Sequence, residues 1–506
     1  MPSTSLVTTL IDHANKNPDR PALKYDVKGK SKVISFIELS KLVVFFRQEV
    51  KKTSIPKGSK LVVCIDNSPE YIAVLYASWS LGLTVIPLHS QSKAREIKHI
   101  LDFTDAKLFI AKINSPLIGQ IGAPYLALNI EDAISQINTI NSTQLSELDT
   151  EMDIAQIALI LFTSGTTGNP KGVMLSNHNL LANTRSIVEY LHLSKDDEVY
   201  CVLPFTYSYG NSVLQTHIFA GACIQLGRSM LYPQRIAEDL HKSSITGFSG
   251  VPSSFQMLLQ KTSFSKSPPK LRYITQAGGA MNTTTTNELL SLLPDTDIFV
   301  MYGQTEASAR LSYLPPNKLL QKVGSIGIAI PGVTLAICDE QGNLLANNQT
   351  GELIAKGDNI MQGYWNNAEE TQKTLINGWL HTGDLGYADE EGFLYIQGRQ
   401  KQMIKSGANR IHPEEIEEII SECNNVGEVA VTGVQDELLG EIIAVFIVAK
   451  KEHPAEDKII RAHCRKNLPP HKQPKLIYWV SELPRTSSGK VRRHLLTESI
   501  VHKPNS

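Results

Sequence analysis

Ile157-Ala-Leu-Ile-Leu-Phe-Thr-Ser-Gly-Thr-Thr-Gly-Asn-Pro-Lys-Gly172 joins an apolar run to a stretch of small hydroxylated residues that ends in a lysine. The run Ile157–Phe162 has the length and apolar continuity of a buried strand. The segment after it, Thr163–Gly172, is built for an anion. Glycines let the backbone wrap closely, hydroxyls and N–H groups supply donors, and Lys171 supplies a fixed positive charge. The Walker spacing GxxxxGK[ST] is absent, so this is a phosphate loop of another type. A strand followed by such a loop points to an α/β nucleotide-binding fold.

Upstream, short strand patterns alternate with helical ones. Leu61–Ile65, Leu83–Ile86 and Lys107–Ala111 read as strands, and a helix is expected after Pro69. This alternation argues for βαβ units and a largely parallel sheet covered by helices. Tyr71–Leu88 carries no charge and is long enough to span a membrane. However, Ser68-Pro69 is a helix start, Gly82 a helix stop and Leu83–Ile86 a strand ending at Pro87, so the stretch reads as helix, turn and strand. The polar segment Asp132–Asp153 separates this part from Ile157, where a second sheet is expected to begin.

Downstream of Gly324 the texture becomes Gly-rich short strands, as at Gly351–Ala355 and on either side of Asp389–Gly392, which predicts a small antiparallel sheet or barrel. The turn at Asp389–Gly392 folds its flanks into a hairpin and sets Asp384 and Arg399 near the same open end. After Arg399, Pro413 opens a helix with Ile416, Ile419, Ile420 and Cys423 at helical spacing. The expected architecture is α/β. A large N-terminal domain, residues 1–398, holds two βαβ-type subdomains and the small barrel, and a hinge at 399–401 leads to a small mobile α+β domain, 402–506.

The chain has 49 Lys and Arg against 50 Asp and Glu. No field of one sign is available to gather nucleic acid, and no nucleic-acid partner is expected. Its six cysteines are scattered, without CxxC pairs or a His cluster, which speaks against a disulfide framework or a zinc site. Met1–Asp12 lacks the basic and apolar regions of an export signal, and neither export nor a transmembrane segment is expected. The expected location is the reducing cytoplasm.

The chain resembles the adenylate-forming superfamily of acyl-CoA synthetases, aryl-CoA ligases, luciferases and stand-alone adenylation domains. The resemblance runs over nearly the whole length. It rests on the 163–172 loop together with Gly278-Gly-Ala280, Tyr302-Gly-Gln-Thr-Glu306, Gly351-Glu352, Gly363-Tyr364, Thr382-Gly-Asp384, Gly398-Arg-Gln-Lys401 and Pro484-Arg-Thr-Ser-Ser-Gly-Lys490, all in the family's order.

The resemblance implies ATP-dependent activation of a carboxylic acid to an acyl-adenylate, with Mg²⁺, and transfer to the thiol of coenzyme A or of a carrier protein's phosphopantetheine. It implies that Thr163, Ser164, Gly165, Thr166, Thr167 and Lys171 hold phosphate. Tyr302, with Gly303, takes adenine beside Gly279 and Ala280, Asp384 takes the ribose hydroxyls with Arg399 next to it, and Thr305 contacts phosphate. Glu306 holds magnesium, which is chemically sufficient because Mg²⁺ favours few protein carboxylates plus substrate phosphates. Lys490 is implied as the catalytic lysine, bridging the acid and the α-phosphate. Lys401 is implied as the hinge, and a lysine there resembles the CoA ligases more than amino-acid adenylation domains. Lys405-Ser-Gly407 and Arg410 match the loop that approaches pantetheine.

Leu203–Ser212 aligns with the segment that builds the acid pocket. Amino-acid adenylation domains place an Asp early in it; this chain has Thr206 and Tyr207. An ammonium buried there would lack a counter-charge. The expected acid therefore has no α-amino group and is fatty or aromatic, and the resemblance implies that Tyr207, Val251, Pro252, Ala277, Gly278 and Gly303 surround it.

Overall fold

The computed structural model describes residues 5–27, 29–146, 148, 153–163, 171–242, 244–399, 403–406, 409–436, 440–450, 453–486, 490–493 and 495–497. Its architecture is α/β with four sheets. In the seven-stranded sheet, Lys60–Cys64 lies between Thr84–Leu88 and Leu108–Lys112, all parallel. Ile157–Thr163 continues this sheet, with Leu159 opposite Val85, so it does not start a second one. Trp79 on the preceding helix fixes that neighbour by donating its indole N–H to the Ala158 carbonyl at 3.0 Å.

The helix Pro69–Ser80 is capped by Ser68, whose hydroxyl accepts from the Tyr71 N–H, and is buried on every face. The lack of charge from Tyr71 onward is thus a core property, and among the described residues no helix is long and apolar enough to cross a membrane. Thr84–Leu88 runs through Pro87. The ladder to Ile157–Thr163 registers at Val85 only, so the N–H that Pro87 lacks removes no rung on that side. The 132–153 segment is more than a polar spacer: it carries helices Ile130–Gln136 and Ser142–Ser146, and Ile137, Ile140, Leu145 and Leu148 pin it to the core.

The second, nine-stranded sheet takes its edge from the N-terminal hairpin Pro21–Val27/Lys30–Ser35. Its centre is the parallel set Cys223–Leu226, Glu198–Cys201, Gly247–Gly250, Tyr273–Gln276 and Asp297–Tyr302. One apolar cluster unites Leu61, Val85 and Leu159 of the first sheet with Leu23, Val199 and Phe299 of the second through the buried helices between them.

A five-stranded antiparallel sheet follows, with Val333–Cys338, Gly351–Gly357 and Trp379–Ala388 in order. The last sheet pairs Val426–Asp436 with Gly440–Ala449 and adds Leu476–Trp479 in parallel. Helix Pro413–Ser421 packs Ile416 and Ile420 onto it. All six cysteines are buried and unpaired.

Candidate active site

Four parallel strands of the nine-stranded sheet end side by side, with Cys201 opposite Ser249, Gly250 opposite Gln276 and Gln276 opposite Val300. Their exits are therefore neighbours: Leu203–Ser212, Val251-Pro252, Ala277–Ala280 and Tyr302–Glu306. The carboxyl ends of such strands form the crevice in which open α/β sheets take ligands. Gly278 has φ +88°, and a Cβ there would lie 3.3 Å from Val251. Gly279 and Ala280 are exposed, leaving their backbone open to a flat ligand. Gly303 admits no side chain, because a Cβ would stand 2.0 Å from the Ala309 carbonyl oxygen.

Across this crevice the antiparallel sheet presents Asp384, which is buried and accepts a hydrogen bond from the Tyr302 hydroxyl at 2.5 Å. Arg399 is its partner across the hairpin, and only the backbone of Arg399 is described. The Asp384 turn is braced from behind. Glu352 accepts from the Gly383 N–H at 2.9 Å and pairs with His381 Nδ1 at 2.8 Å, while the Thr382 hydroxyl donates to the Leu353 carbonyl at 2.6 Å. The dipeptide Gly351-Glu352 does not by itself announce this brace.

At the other end of Tyr302–Glu306, a short 3₁₀ turn over Thr305–Ala307 carries Thr305 and Glu306. The Thr305 hydroxyl lies 3.4 Å from that of Ser208, on the first turn of helix Ser208–Ala220. Glu306 accepts from the Tyr364 hydroxyl at 2.9 Å, and burial together with the Glu306 charge holds the Tyr364 phenol well above its ordinary pKa. Lys171 stands over the Tyr364 ring, 5.1 Å from its centroid, and pairs with Glu370 at 2.5 Å. Tyr364 thus links Lys171 to Glu306, a contact that a Gly-Tyr dipeptide does not announce.

Thr163 and Lys171 face each other at the end of an antiparallel pair. Ser164, Gly165, Thr166 and Thr167, between them, lie outside the described residues, as does Lys401. Tyr207 is the N-cap of the Ser208 helix and half-buried. Lys490 is exposed on a turn in which the Thr486 N–H donates to its carbonyl at 2.7 Å. Leu483 and Val491 beside it pack with Ala430, Ala444 and Phe446 of the C-terminal sheet.

A buried carboxylate beside an aromatic ring, an exposed glycine backbone, a second carboxylate, hydroxyls and a lysine make a site suited to a nucleotide triphosphate. The model for the AMP-binding enzyme family matches residues 10–365, and that for the AMP-binding enzyme C-terminal domain matches 415–490. The 2-succinylbenzoate–CoA ligase of Bacillus cytotoxicus is 30% identical over 98% of this chain and 98% of its own length. The oxalate–CoA ligase of Arabidopsis thaliana is 29% identical over 100% of both. The solved structure of o-succinylbenzoate CoA synthetase from Bacillus subtilis with ATP and magnesium ion superposes with a TM-score of 0.83 at 24% identity, covering 96% of this chain and 98% of that one.

The chain belongs to the AMP-binding enzyme family. It is an AMP-forming acid–thiol ligase that works with ATP and coenzyme A.

Proposed function

We propose that this enzyme converts a fatty or aromatic acid without an α-amino group to its acyl-adenylate, releasing pyrophosphate, and then passes the acyl group to free coenzyme A. The observation that carries the nucleotide half is the Tyr302–Asp384 contact across the crevice. Tyr302, Gly303, Gly279 and Ala280 take adenine, Asp384 takes the ribose hydroxyls with Arg399, and Thr305 with the Thr163–Thr167 loop takes phosphate. Lys171 exchanges Glu370 for phosphate when ATP enters. Glu306 fits Mg²⁺, since Tyr364 engages one of its oxygens and the metal needs few protein carboxylates; when bound, the ion neutralises phosphate charge.

The acid lies against Tyr207, Val251, Ala277 and Gly278. A carboxylate is already ionised at neutral pH, so no general base is required. Lys490 bridges this carboxylate and the α-phosphate, once the domain from residue 402 swings about the hinge at 399–401 and brings it in from its turn. The relatives are named for oxalate and 2-succinylbenzoate, neither of which is an amino acid, and for CoA rather than a carrier protein. A reducing cytoplasm suits the six unpaired cysteines.

The test is carboxylate-dependent ATP–pyrophosphate exchange without thiol, over fatty, aromatic and amino acids. Exchange with one non-amino class is expected. Strong dependence on proline or alanine would overturn the substrate reading, and silence with every acid would overturn adenylation itself.

A further inference from the structure

Behind the turn that carries Asp384, donor side chains from three adjacent strands come together. Cys338 ends the strand Val333–Cys338, Glu352 lies at the start of Gly351–Gly357, and His381 lies early in Trp379–Ala388. The Cys338 sulfur, a Glu352 carboxylate oxygen and a His381 ring nitrogen are within 4.8 Å of one another. Among the described residues no other group of three His, Cys, Asp or Glu side chains is gathered so closely. The three are distant in the sequence, so no ligand spacing announces them.

Sheet register explains the meeting. Cys338 is opposite Glu352, and His381 is opposite Ile354, two residues farther along the same strand. Cross-strand partners project to one face, as do residues two apart on a strand, so all three side chains share a face. Between Glu352, which is opposite Leu385, and Ile354 the register shifts, and Thr382-Gly-Asp384 bulges against Leu353. A bulge bends its strand and re-aims side chains. Here it leaves His381 Nδ1 2.8 Å from Glu352 Oε2, while Glu352 Oε1 holds the Gly383 N–H.

The brace of the Asp384 turn uses only His381 and Glu352, and the sulfur stands beside it as a third donor. A thiolate and a carboxylate together balance the charge of one divalent ion, and imidazole adds a neutral nitrogen, so the occupied site carries no net charge into a partly buried place. Sulfur and nitrogen donors suit zinc, whereas magnesium and calcium take oxygen. Cys338 is 1% exposed, but the side chains of Glu352 and His381 are 20% and 18% exposed. The group is thus walled on the sulfur side and open on the other, where an ion can enter and a water can complete four-coordination. With bonds of about 2.0–2.3 Å the ligands of a tetrahedral zinc stand about 3–4 Å apart, so the cluster closes on the ion by side-chain movements of about 1 Å.

We propose that Cys338, Glu352 and His381 form a zinc site that fastens the three strands together behind the Asp384 turn. On binding, the sulfur gives its proton to water and forms the Zn–S bond. The Nδ1 proton passes through water to Nε2, and Nδ1 and Oε2 take the metal in place of their mutual hydrogen bond. One proton is released, and nothing is oxidised or reduced. Glu352 Oε1 keeps the Gly383 N–H, so the turn stays where it is. The site is separate from Glu306 and does not depend on which acid the enzyme activates.

The test uses the full-length enzyme, kept reduced and freed of metal by a chelator, without nucleotide or magnesium. Titration with Co²⁺, the spectroscopic stand-in for zinc, is expected to give a thiolate-to-cobalt charge-transfer band in the near ultraviolet that saturates at one equivalent and is removed by Zn²⁺. An ion held by the oxygens of Glu306 cannot produce that band. Cys338→Ser should lose it, and Cys423→Ser should keep it. His381→Gln should weaken cobalt binding by at least the roughly 10-fold that loss of an outer partner costs. Zn²⁺ should raise the melting temperature of wild type by several degrees, because it binds the folded chain, and leave Cys338→Ser unmoved. Absence of the band in wild type overturns the proposal without recourse to any variant. So does a band that survives Cys338→Ser, an unweakened affinity in His381→Gln, or a wild-type melting temperature that zinc does not move. Cys338→Ala takes the place of Cys338→Ser if the latter does not fold.

Discussion

Tyr302 and Asp384 meet at 2.5 Å although 82 residues separate them, one at the end of a parallel strand and the other on the antiparallel sheet. The contact joins the two sheets across the crevice and engages one carboxylate oxygen, Oδ2, of Asp384. If this carboxylate takes the ribose, Asp384→Ala removes charge-assisted bonds worth about 1.5–3 kcal/mol each. The KM for ATP in the exchange assay should rise by about 100-fold. Tyr302→Phe keeps the ring and should cost about 10-fold or less. Equal losses in the two variants would assign the effect to the contact itself and not to ribose binding.

Lys490 separates the two half-reactions. Lys490→Ala should abolish exchange, by roughly 10²–10³-fold or more, as for loss of a preorganised charge at a transferring group. Thioester formation from supplied acyl-adenylate and coenzyme A should stay within a few-fold of wild type. Parallel loss of both steps would deny Lys490 its assignment to the first.

Much of this architecture was legible because its signals are local. Ser68-Pro69 starts a helix, Asp389–Gly392 turns a hairpin, and the hairpin register puts Asp384 opposite Arg399 as that turn requires. Sheet membership is not local. Whether Ile157–Thr163 opens a sheet or extends one depends on Val85, far back in the chain, and on the Trp79 indole. The site divides in the same way. Tyr302, Thr305, Glu306 and Asp384 sit in short motifs, whereas the Glu352–His381 brace and the Lys171–Tyr364–Glu306 series exist only once distant strands are paired.

Two glycines of the crevice should behave oppositely. At Gly303 a Cβ would meet backbone, the Ala309 carbonyl oxygen at 2.0 Å and Arg310 Cα at 2.7 Å, so Gly303→Ala forces the strand end away from the loop that carries Glu306. Overpacking against atoms that cannot turn aside costs about 1–3 kcal/mol or more. The melting temperature should fall by several degrees and exchange with it. At Gly279 a Cβ would meet only Pro252, at 3.5 Å. Gly279→Ala should melt as wild type does and lose affinity for ATP alone. A drop in melting temperature for Gly279→Ala, or none for Gly303→Ala, contradicts this account.

His217 gives the acid side of the stability profile. It is buried between Val213, whose carbonyl lies 2.8 Å from Nδ1, and Tyr273, whose hydroxyl lies 2.7 Å from Nε2. With Nδ1–H donating and Nε2 accepting, both bonds are made by the neutral ring, and burial lowers the pKa to about 4 from an ordinary 6.5. Between those values the unfolded chain takes up a proton that the folded chain refuses. Stability therefore falls as pH drops from 6.5 toward 4, by up to roughly 3 kcal/mol, and this contribution is complete above 6.5. His217→Gln abolishes that term, though it also costs packing at every pH. The difference in melting temperature between wild type and His217→Gln should thus be largest near pH 7 and shrink steadily toward pH 4.5. A difference that stays constant over this range means that the imidazole titrates alike in both states.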